Sequence, residues 1–287
     1  MLKTGVFIGL ITLDCIYQTR KTLEANEKQV AEAVLLAAGG PATNAAVAFR
    51  ALGNRAVLVG ALGCHPLSTV VRDDLTQSGI VLVDLTPTAT VSPPFSSIVV
   101  NMMTGDRAVI SRNAADRPTP KGPPPPDLLA GAACLLIDGH QMLLGLALAR
   151  QAQQANVPVI IDAGSWKPGF DQVLSLATVV IASATFCPPE PGIGAIAYLQ
   201  SLGIPYIAIT RGAAPIFYQT PCQSGEIAVP TIQPVDTLGA GDIFHGAFCH
   251  SCIQGVDFVE ALTRAAQVAS GSCQSFGTRQ WVHQWVE

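Results

Sequence analysis

The stretch TNAAVAFRALGNRAVLVG, residues 43–60, holds one complete helix-to-strand unit of the fold. Its first part, Thr43–Leu52, predicts a helix, and Gly53 stands where a helix-ending glycine is expected. Its second part, Ala56–Gly60, is a short run that is apolar throughout, which is typical of a parallel strand covered on both faces. The stretch therefore predicts a helix that leads into a buried sheet.

The same alternation of strand and helix continues along most of the chain. The other strand candidates are Val6–Ile11, Cys134–Ile137, Val157–Ile161, Val179–Ala182 and Tyr206–Ile209. The other helix candidates are Leu67–Gln77, Gln141–Ala155, Gly194–Leu202 and an apolar helix that starts near Ile243. This alternation predicts an α/β fold with a doubly wound, mainly parallel sheet.

Two segments interrupt the alternation and predict a lid. Residues 12–38 are more polar than their surroundings, and residues 91–112 have the pattern of a β-hairpin with Gly105 at the turn. Together they predict a small β-sheet that projects from the main body. The proline-rich segment Arg117–Asp127 is interpreted as a stiff connector back to the main sheet. We expect residues 1–287 to form a single domain that carries this lid.

Composition and charge exclude several classes of protein. The chain is 49% hydrophobic and 13% charged, which excludes disorder, and its net charge of −4 predicts neither nucleic acid nor a membrane as partner. No apolar run reaches the about 18 residues that span a bilayer. Asp14 interrupts the apolar N-terminus, which is interpreted as a strand and not as a signal peptide. Eight scattered cysteines predict reduced thiols and a cytoplasmic protein.

The stretch DTLGAGD, Asp236–Asp242, carries the chemistry. Gly239 and Gly241 allow a tight turn that points successive amides outward, including that of Ala240. Outward amides at a helix N-terminus form an anion hole that suits a phosphoryl group in transfer. The Asp242 carboxylate beside it would accept the proton of an attacking hydroxyl group. From the residues alone, an ordinary loop with Asp242 as helix N-cap is an equal alternative.

VDTLGAGDIFHGAF, residues 235–248, resembles the C-terminal signature of the ribokinase, or PfkB-type, family of carbohydrate kinases. A second stretch, AAGGPATNAAVAFRALG from Ala37 to Gly53, is similar to the N-terminal sugar-binding motif of that family. The resemblance extends over essentially the whole chain, including the lid. It implies a ribokinase-like fold and an ATP-dependent sugar kinase in which Asp242 is the base.

The resemblance also implies roles for residues elsewhere in the chain. The sugar would bind to Asp14, Gly39, Gly40 and Asn44, with Asn101 and Arg107 contributed by the lid. The nucleotide would bind to Ser183, Thr210, Arg211, Gly212 and Gly241. A monovalent cation such as K⁺ would lie beside Asp236, the carbonyl of Leu238 and Gly277. For Asp14, Arg211 and the two lid residues, a structural or solvent-exposed position is the alternative.

The chain departs from the family pattern where Mg²⁺ is organised. Many relatives carry Asn-x-x-Glu after the fifth core strand, whereas this chain has Ser-Ala-Thr-Phe at 183–186, with Glu190 as a weak substitute. Ketohexokinase and sulfofructose kinase also have serine in this segment. The features DGH at 138–140 and IIDAGS at 160–165 resemble the sulfofructose-kinase-like branch, which points to a ketose or a derivative as substrate.

Two rival functions remain open at this point. A nucleoside kinase of the same family is one, since Phe95, Met102 and Met103 of the lid would suit a base. A non-catalytic sugar or nucleotide sensor is the other, because the Asn-x-x-Glu pattern is missing. His245, one turn after Asp242, is interpreted as a packed, hydrogen-bonded residue. The resemblance also implies a homodimer formed through the lid strands.

Overall fold

The structure, a computed structural model, describes residues 2–112, 125–190 and 192–284. Its strands are β1 (Thr4–Ile8), β2 (Thr12–Thr19), β3 (Ala33–Gly39), β4 (Arg55–Gly60), β5 (Val81–Asp84), β6 (Phe95–Asn101), β7 (Arg107–Arg112), β8 (Ala132–Ile137), β9 (Val159–Ala163), β10 (Val179–Ser183), β11 (Tyr206–Arg211), β12 (Ala214–Gln219) and β13 (Ser224–Ile227). Its helices are α1 (Pro41–Ala51), α2 (Pro66–Gln77), α3 (Met142–Gln154), α4 (Phe170–Leu174), α5 (Ala195–Ser201), α6 (Ala240–Ile253) and α7 (Phe258–Ser272), followed by a short 3₁₀ helix at Gln280–Gln284.

Nine strands form the main sheet, in the order β13-β12-β11-β10-β9-β8-β1-β4-β5. The strands from β5 to β11 in this order are parallel, and the hairpin β12–β13 is added antiparallel at one edge. Each predicted strand of the core is found in this sheet. The α/β, doubly wound prediction is therefore confirmed.

Helices cover both faces of this sheet, because successive strand residues point to opposite sides. Phe7, Leu58 and Ile181 point to one face, where α1, α6 and α7 pack. Their strand neighbours Ile8 and Val59 point to the other face, where α3, α4 and α5 pack. The apolar runs in the sequence reflect this burial on both sides.

A separate four-stranded sheet, in the order β3-β2-β6-β7, forms the lid. Strands β2 and β6 pair in parallel, and the other two pairs are antiparallel. Ile16, Ile98 and Val100 cover its inner face and pack against Phe276, which follows α7. The lid is thus joined to the C-terminal part of the chain by an apolar contact.

Several predicted element boundaries were wrong by two or three residues, and three of them bear on the site. Strand β1 ends at Ile8 and not at Ile11, because the Leu10 amide donates to the Asp138 carboxylate (2.9 Å) instead of the sheet. The strand predicted from Val157 begins two residues later, since the Val157 amide closes the end of α3. Helix α6 begins at Ala240, three residues before the predicted start near Ile243. The predicted connector Arg117–Asp127 lies mostly outside the described residues.

Candidate active site

Several of the predicted site residues lie at or near the carboxyl ends of the parallel strands, at one edge of the sheet. Ser183 ends β10 and pairs in register with Thr210 of β11, and Asp162 lies on the neighbouring strand β9. Helix α6 contacts β8 and β9, and its first turn lies near this edge, since Asp242 interacts with Asp162 and Asp138. The topology therefore brings together residues far apart in the sequence.

The anion hole predicted from the glycines is the first turn of α6 itself. Gly239 is the residue before the helix and has a left-handed φ of 71°. The amide of Ile243 bonds to the carbonyl of Gly239 (2.8 Å) and so closes the first helical turn. The Ala240 amide bonds to the Thr237 carbonyl (3.4 Å), whereas the amides of Gly241 and Asp242 have no carbonyl of a preceding turn and point out of the helix end. An anion at this end would also meet the positive end of the helix dipole.

Asp242 lies in this first turn and is half-buried. Its Oδ2 accepts a hydrogen bond from the Nδ2 of Asn44 (2.9 Å), which joins α1 to α6. Burial, followed by the nearby Asp162 carboxylate, raises the pKa of Asp242 to about 7, against the opposing effects of Asn44 and His245. A carboxylate with a pKa near neutral is well suited to take up a proton at physiological pH.

Asp14, on β2 at the root of the lid, is buried and hydrogen-bonded. Its carboxylate accepts the Thr12 hydroxyl (2.7 Å) and interacts with the Ser96 hydroxyl. Burial raises the pKa of Asp14, and these two hydroxyl groups oppose the rise. The side chain is 7% exposed, so a sugar that reaches it must enter under the lid.

Close packing requires glycine both at Gly39, the last residue of β3, and at Gly40, which follows it. A Cβ atom on Gly39 would lie 1.9 Å from the Asp14 carboxylate. A Cβ on Gly40 would lie 2.3 Å from the Leu10 carbonyl oxygen, and Gly40 has a φ of 103°. Neither position accepts a side chain, so the backbone here packs directly against Asp14 and Leu10.

The two predicted lid residues have protein partners in the structure. The Asn101 side chain caps its own turn, where its Oδ1 accepts the Met103 amide (2.9 Å). Arg107 donates from Nη1 to the carbonyl and hydroxyl oxygens of Thr237. Among the described contacts, neither side chain bonds to Asp14 or Asp242. Arg107 therefore links the lid to the loop that precedes the base.

The predicted nucleotide residues lie at the ends of β10 and β11. The Ser183 hydroxyl donates to the Gly164 carbonyl (2.8 Å), and the Thr210 hydroxyl donates to the Ala182 carbonyl (3.3 Å). Gly212 follows β11 with a left-handed φ of 63°. The Arg211 guanidinium forms an ion pair with Glu226 of β13 (2.7 Å). This contact corresponds to the structural role that was the alternative to nucleotide binding for Arg211. Gly241 is exposed at the end of α6.

The segment that replaces Asn-x-x-Glu supplies no carboxylate. Phe186 stands at the glutamate position and is buried against Trp166 and Phe170, with ring centroids 5.9 and 6.3 Å apart. No group of three or more His, Cys, Asp or Glu side chains that could hold a metal occurs in the described part of the chain. The segment 183–186 therefore offers hydroxyl groups and an aromatic ring where the family pattern has an amide and a carboxylate.

The predicted monovalent-cation position is a corner between two loops. The buried Asp236 carboxylate accepts the amides of Leu238 and Gly277 (both 2.8 Å). Burial raises the pKa of Asp236, and these two amides and Arg107 oppose the rise. The carboxylate thereby ties the loop before α6 to the segment after α7.

Sequence reasoning assigned no role to three charged residues at the site. Asp138 follows β8 and accepts the amides of Leu10 (2.9 Å), Ala42 (3.2 Å) and His140 (2.9 Å). Asp138 and Asp162 each come directly after an apolar run that predicts a strand. This position in the sequence would have predicted that both lie at the carboxyl edge of the sheet. The third residue, Arg279, has no such signal.

Asp162 lies beside His245, and both side chains are buried. The Oδ2 of Asp162 is 3.6 Å from the Nδ1 of His245. His245 also lies 2.7 Å from the Gly241 carbonyl and 3.3 Å from the Ile181 carbonyl. His245 is therefore the packed, hydrogen-bonded residue that was predicted. Burial raises the pKa of Asp162, and His245 opposes the rise.

Comparisons with known proteins find sugar kinases that are similar to this chain over almost its whole length. The ribokinase of Haemophilus influenzae is 25% identical over 315 residues, covering 100% of this chain and 99% of the relative. The ketohexokinase of Mus musculus is 24% identical over 296 residues, covering 94% of this chain and 96% of the relative. The structure of Arabidopsis thaliana ribokinase complexed with ribose and ATP has a TM-score of 0.75 at 22% identity, with 100% of this chain and 99% of that chain covered.

These similarities agree with the match of almost the whole chain to a protein family. Within the described ranges, no helix has the length and apolar character that crossing a membrane requires. Residues 3–284 match the pattern described as pfkB family carbohydrate kinase. The chain belongs to this family and is a phosphotransferase of the carbohydrate-kinase type.

Proposed function

We propose that this protein transfers the γ-phosphoryl group of ATP to a hydroxyl group of a sugar bound beneath the lid. The observation that carries the proposal is the position of Asp242. Its carboxylate lies in the first turn of α6, has a pKa of about 7 and is hydrogen-bonded to Asn44. A base and an anion hole on the same helical turn suit the transfer of a phosphoryl group to an alcohol.

The sugar binds between the lid and the start of α1. Buried Asp14 accepts hydrogen bonds from sugar hydroxyl groups, the backbone at Gly39 and Gly40 provides close approach, and the Asn44 side chain lies between them and Asp242. Lid residues Asn101 and Arg107 complete this part of the site on closure. Exclusion of water by the lid limits hydrolysis of ATP.

Transfer then proceeds in line at the N-terminus of α6. Asp242 accepts the proton of the attacking hydroxyl, which in our proposal is a primary one, as its oxygen bonds to phosphorus. The bond to the ADP oxygen breaks, and the amides of Gly239, Gly241 and Asp242 stabilise the charge on the phosphoryl oxygens. Both the base and the amides are fixed by one helix, so little rearrangement is needed.

ATP lies along the ends of β10 and β11. Ser183, Thr210, Arg211, Gly212 and Gly241 are the residues that bind it, and their location at the carboxyl edge of a parallel sheet supports this. Mg²⁺ accompanies ATP and neutralises phosphate charge. A monovalent cation such as K⁺ binds beside Asp236, the Leu238 carbonyl and Gly277, where it would stabilise a buried carboxylate.

A ketose or a ketose derivative is the substrate class that we infer. The mouse relative named ketohexokinase supports it, and the ribokinase relative supports a sugar of similar size. Of the lid residues that would favour a nucleoside, Phe95 packs against the main core and Met103 is 73% exposed in the hairpin turn. Those positions favour a sugar over a nucleoside.

We further propose a cytoplasmic homodimer that pairs through the outer face of the lid. This face is apolar and open to solvent, with Val34 61%, Leu36 48% and Ile110 79% exposed. Exposed apolar residues concentrated on one sheet face are typical of an interaction surface. All eight cysteines are free thiols, as expected where the cell keeps thiols reduced and supplies ATP.

The test is an ADP-release assay across ketoses, aldoses and nucleosides, with Asp242→Asn as the diagnostic variant. We expect turnover with one class of sugar, and a loss of about 100- to 10,000-fold in kcat in the variant with ATP affinity retained. Asp73→Asn, the same change at an exposed position of α2, is the matched control. Full activity in Asp242→Asn, or turnover of nucleosides only, would contradict the proposal.

A further inference from the structure

Arg279, in the segment after α7, forms hydrogen bonds to four different parts of the chain. Its Nε and Nη2 atoms donate to the Asp74 carboxylate (3.3 and 2.9 Å), and Nη2 also donates to the Ala38 carbonyl (2.5 Å). Its Nη1 atom donates to the Asn44 Oδ1 (3.1 Å) and to Thr278. The five N–H groups of a guanidinium are thereby all engaged, so Arg279 is not free to bind a substrate.

These contacts determine which way the Asn44 side chain points. A guanidinium only donates hydrogen bonds, so the Asn44 atom that faces Arg279 must be its oxygen. The amide nitrogen then points to the other side, where it donates to the Asp242 carboxylate (2.9 Å). If the amide turned over, an N–H would face the guanidinium and a carbonyl oxygen would face the carboxylate, and both contacts would be repulsive.

We propose that Arg279 is a positioning residue that acts through Asn44 on the base Asp242. It holds the Asn44 amide so that a hydrogen-bond donor faces the carboxylate that accepts the substrate proton. The inference rests on the proposed function for what the base does, but the contact itself exists without a substrate.

Asp74, on α2, extends this arrangement to the root of the lid. Its Oδ2 accepts both Arg279 and the Ala38 amide (2.9 Å), and Ala38 directly precedes Gly39. The ion pair is largely buried, with the Arg279 and Asp74 side chains 15% and 19% exposed. One arginine therefore fixes both the strand that leads to the sugar-binding glycines and the amide that contacts the base.

The charged groups around Asp242 make the Asn44 contact significant. Asp162 and Asp138, from the ends of β9 and β8, both disfavour a charged Asp242, whereas His245 on α6 favours it. The Asn44 amide is the uncharged contact that favours the carboxylate form. Loss of a correctly oriented Asn44 should therefore raise the pKa of Asp242.

Arg279 itself faces a second set of acidic groups, separate from those around the base. Asp74 is its ion-pair partner, and its charge also acts on Asp14 at the sugar site. Because removal of a cation alters carboxylate pKa values at some distance, the test must separate charge from hydrogen-bond geometry.

The experiment is an NMR titration of the full chain with ¹³C-labelled aspartate, in which Asp242 is assigned with Asp242→Asn. In the unmodified chain, the Asn44 side-chain N–H signals should move with the same pKa as the Asp242 carboxyl. In Arg279→Met we expect that pKa to rise by about one pH unit, since a hydrogen bond to a charged group is lost. Asn44→Ala should give a similar rise, and the double variant no further rise.

The controls distinguish this mechanism from lost charge and from misfolding. Arg264→Met removes an exposed arginine paired with Glu260 on α7 and should leave the pKa of Asp242 unchanged. Arg279→Lys keeps the charge beside Asp74 but loses the planar fork, so a rise in this variant indicates geometry. If the Arg279→Met protein does not fold, Arg279→Lys serves as the test variant in its place.

Two results would overturn the inference. One is an unchanged pKa of Asp242 in a folded Arg279 variant, and the other is an Arg279 effect that persists in full when Asn44 is alanine. In the unmodified chain, the inference would also be overturned if the Asn44 side-chain N–H signals did not shift as Asp242 titrates. None of these measurements needs a sugar, so their outcome is independent of whether the chain phosphorylates one.

Discussion

Arg107, on a lid strand, donates from its Nη1 atom to both the carbonyl oxygen (3.1 Å) and the hydroxyl oxygen (2.7 Å) of Thr237. Thr237 also donates from its hydroxyl to the carbonyl of Gly105 in the lid hairpin (3.1 Å). The lid is therefore bonded directly to the loop that leads into the base helix. Movement of the lid and placement of Asp242 are mechanically connected through this contact.

We expect Arg107→Ala to lower kcat/KM for the sugar by roughly tenfold. The two lost hydrogen bonds are partly exposed and contribute about 1.4 kcal/mol in total, which is a factor of about ten. Steady-state kinetics at fixed ATP measure the loss. Arg20→Ala breaks an exposed ion pair with Glu32 in the same lid and should have little effect. Equal losses in both variants would show that the Thr237 contact has no special role.

The pH dependence of kcat/KM should show an acidic limb near pH 7. Asp242 acts as a base only when deprotonated, and its pKa is about 7. Activity should fall about tenfold for each pH unit below that value. A pH series from 5 to 9, with buffers of constant ionic strength, measures the limb. An activity that stays level down to pH 5 would remove Asp242 from the role of base.

The raised pKa of Asp242 also means that its charged form destabilises the folded state. The folded pKa of Asp242 lies above the value of an unfolded aspartate, so the folded state binds more protons between these two values. Its contribution to the free energy of unfolding therefore decreases as pH rises from about 4 to about 7. At pH 8, Asp242→Asn should therefore raise Tm, because the neutral side chain removes this pH-dependent destabilisation.

Calorimetry of both proteins at pH 8 and pH 5 checks this prediction. At pH 5 the carboxyl is already protonated in the folded chain, so the gain from Asp242→Asn should be small. A larger gain at pH 5 than at pH 8 would reverse the expected sign.

Gly39→Ala should lower kcat/KM for the sugar, although it changes no charged residue. The new Cβ would lie 1.9 Å from the Asp14 carboxylate and must displace it. Loss of hydrogen bonds to a charged group corresponds to roughly 10- to 100-fold in kcat/KM for the sugar. Gly194→Ala is the control, since no atom lies within 4 Å of its added Cβ. ATP affinity, measured by calorimetry, should not change in either variant.

Ile110→Asp should convert a dimer of this chain into monomers. Ile110 is 79% exposed on the outer face of the lid, and a charge there would be buried in a lid-to-lid contact. Light scattering after gel filtration measures the mass. Leu143→Asp, which changes a residue that is 70% exposed on α3, should leave the mass unchanged. A monomeric wild-type protein at micromolar concentration would refute the dimer.

The fold was predictable because both faces of the main sheet are covered. Burial on both sides leaves continuous apolar runs such as residues 56–60 and 179–182, and these mark strands without an alignment. The β12–β13 hairpin gave no comparable run, since its strands lie at the edge and are largely exposed. The start of α6 was misplaced because glycines usually end or precede helices, and here Gly241 lies inside the first turn.

The candidate site was predictable where one short motif holds it. Asp242 and its amides belong to a single stretch, and Asn44 follows a pair of glycines. Arg279 was not predictable, because its partners Ala38, Asn44 and Asp74 are separated from it by more than two hundred residues. Contacts of that range depend on how α2, β3 and the segment after α7 pack, which no local pattern records.

The segment after α7 supports the lid and the loop before the base with neighbouring residues. Trp281 is fully buried and donates to the Thr278 carbonyl, which anchors this segment. Phe276 packs against the inner face of the lid, and Gly277 donates its amide to Asp236 in the loop before α6. Truncation before Phe276 would therefore remove both supports together while leaving every strand of the two sheets in the chain.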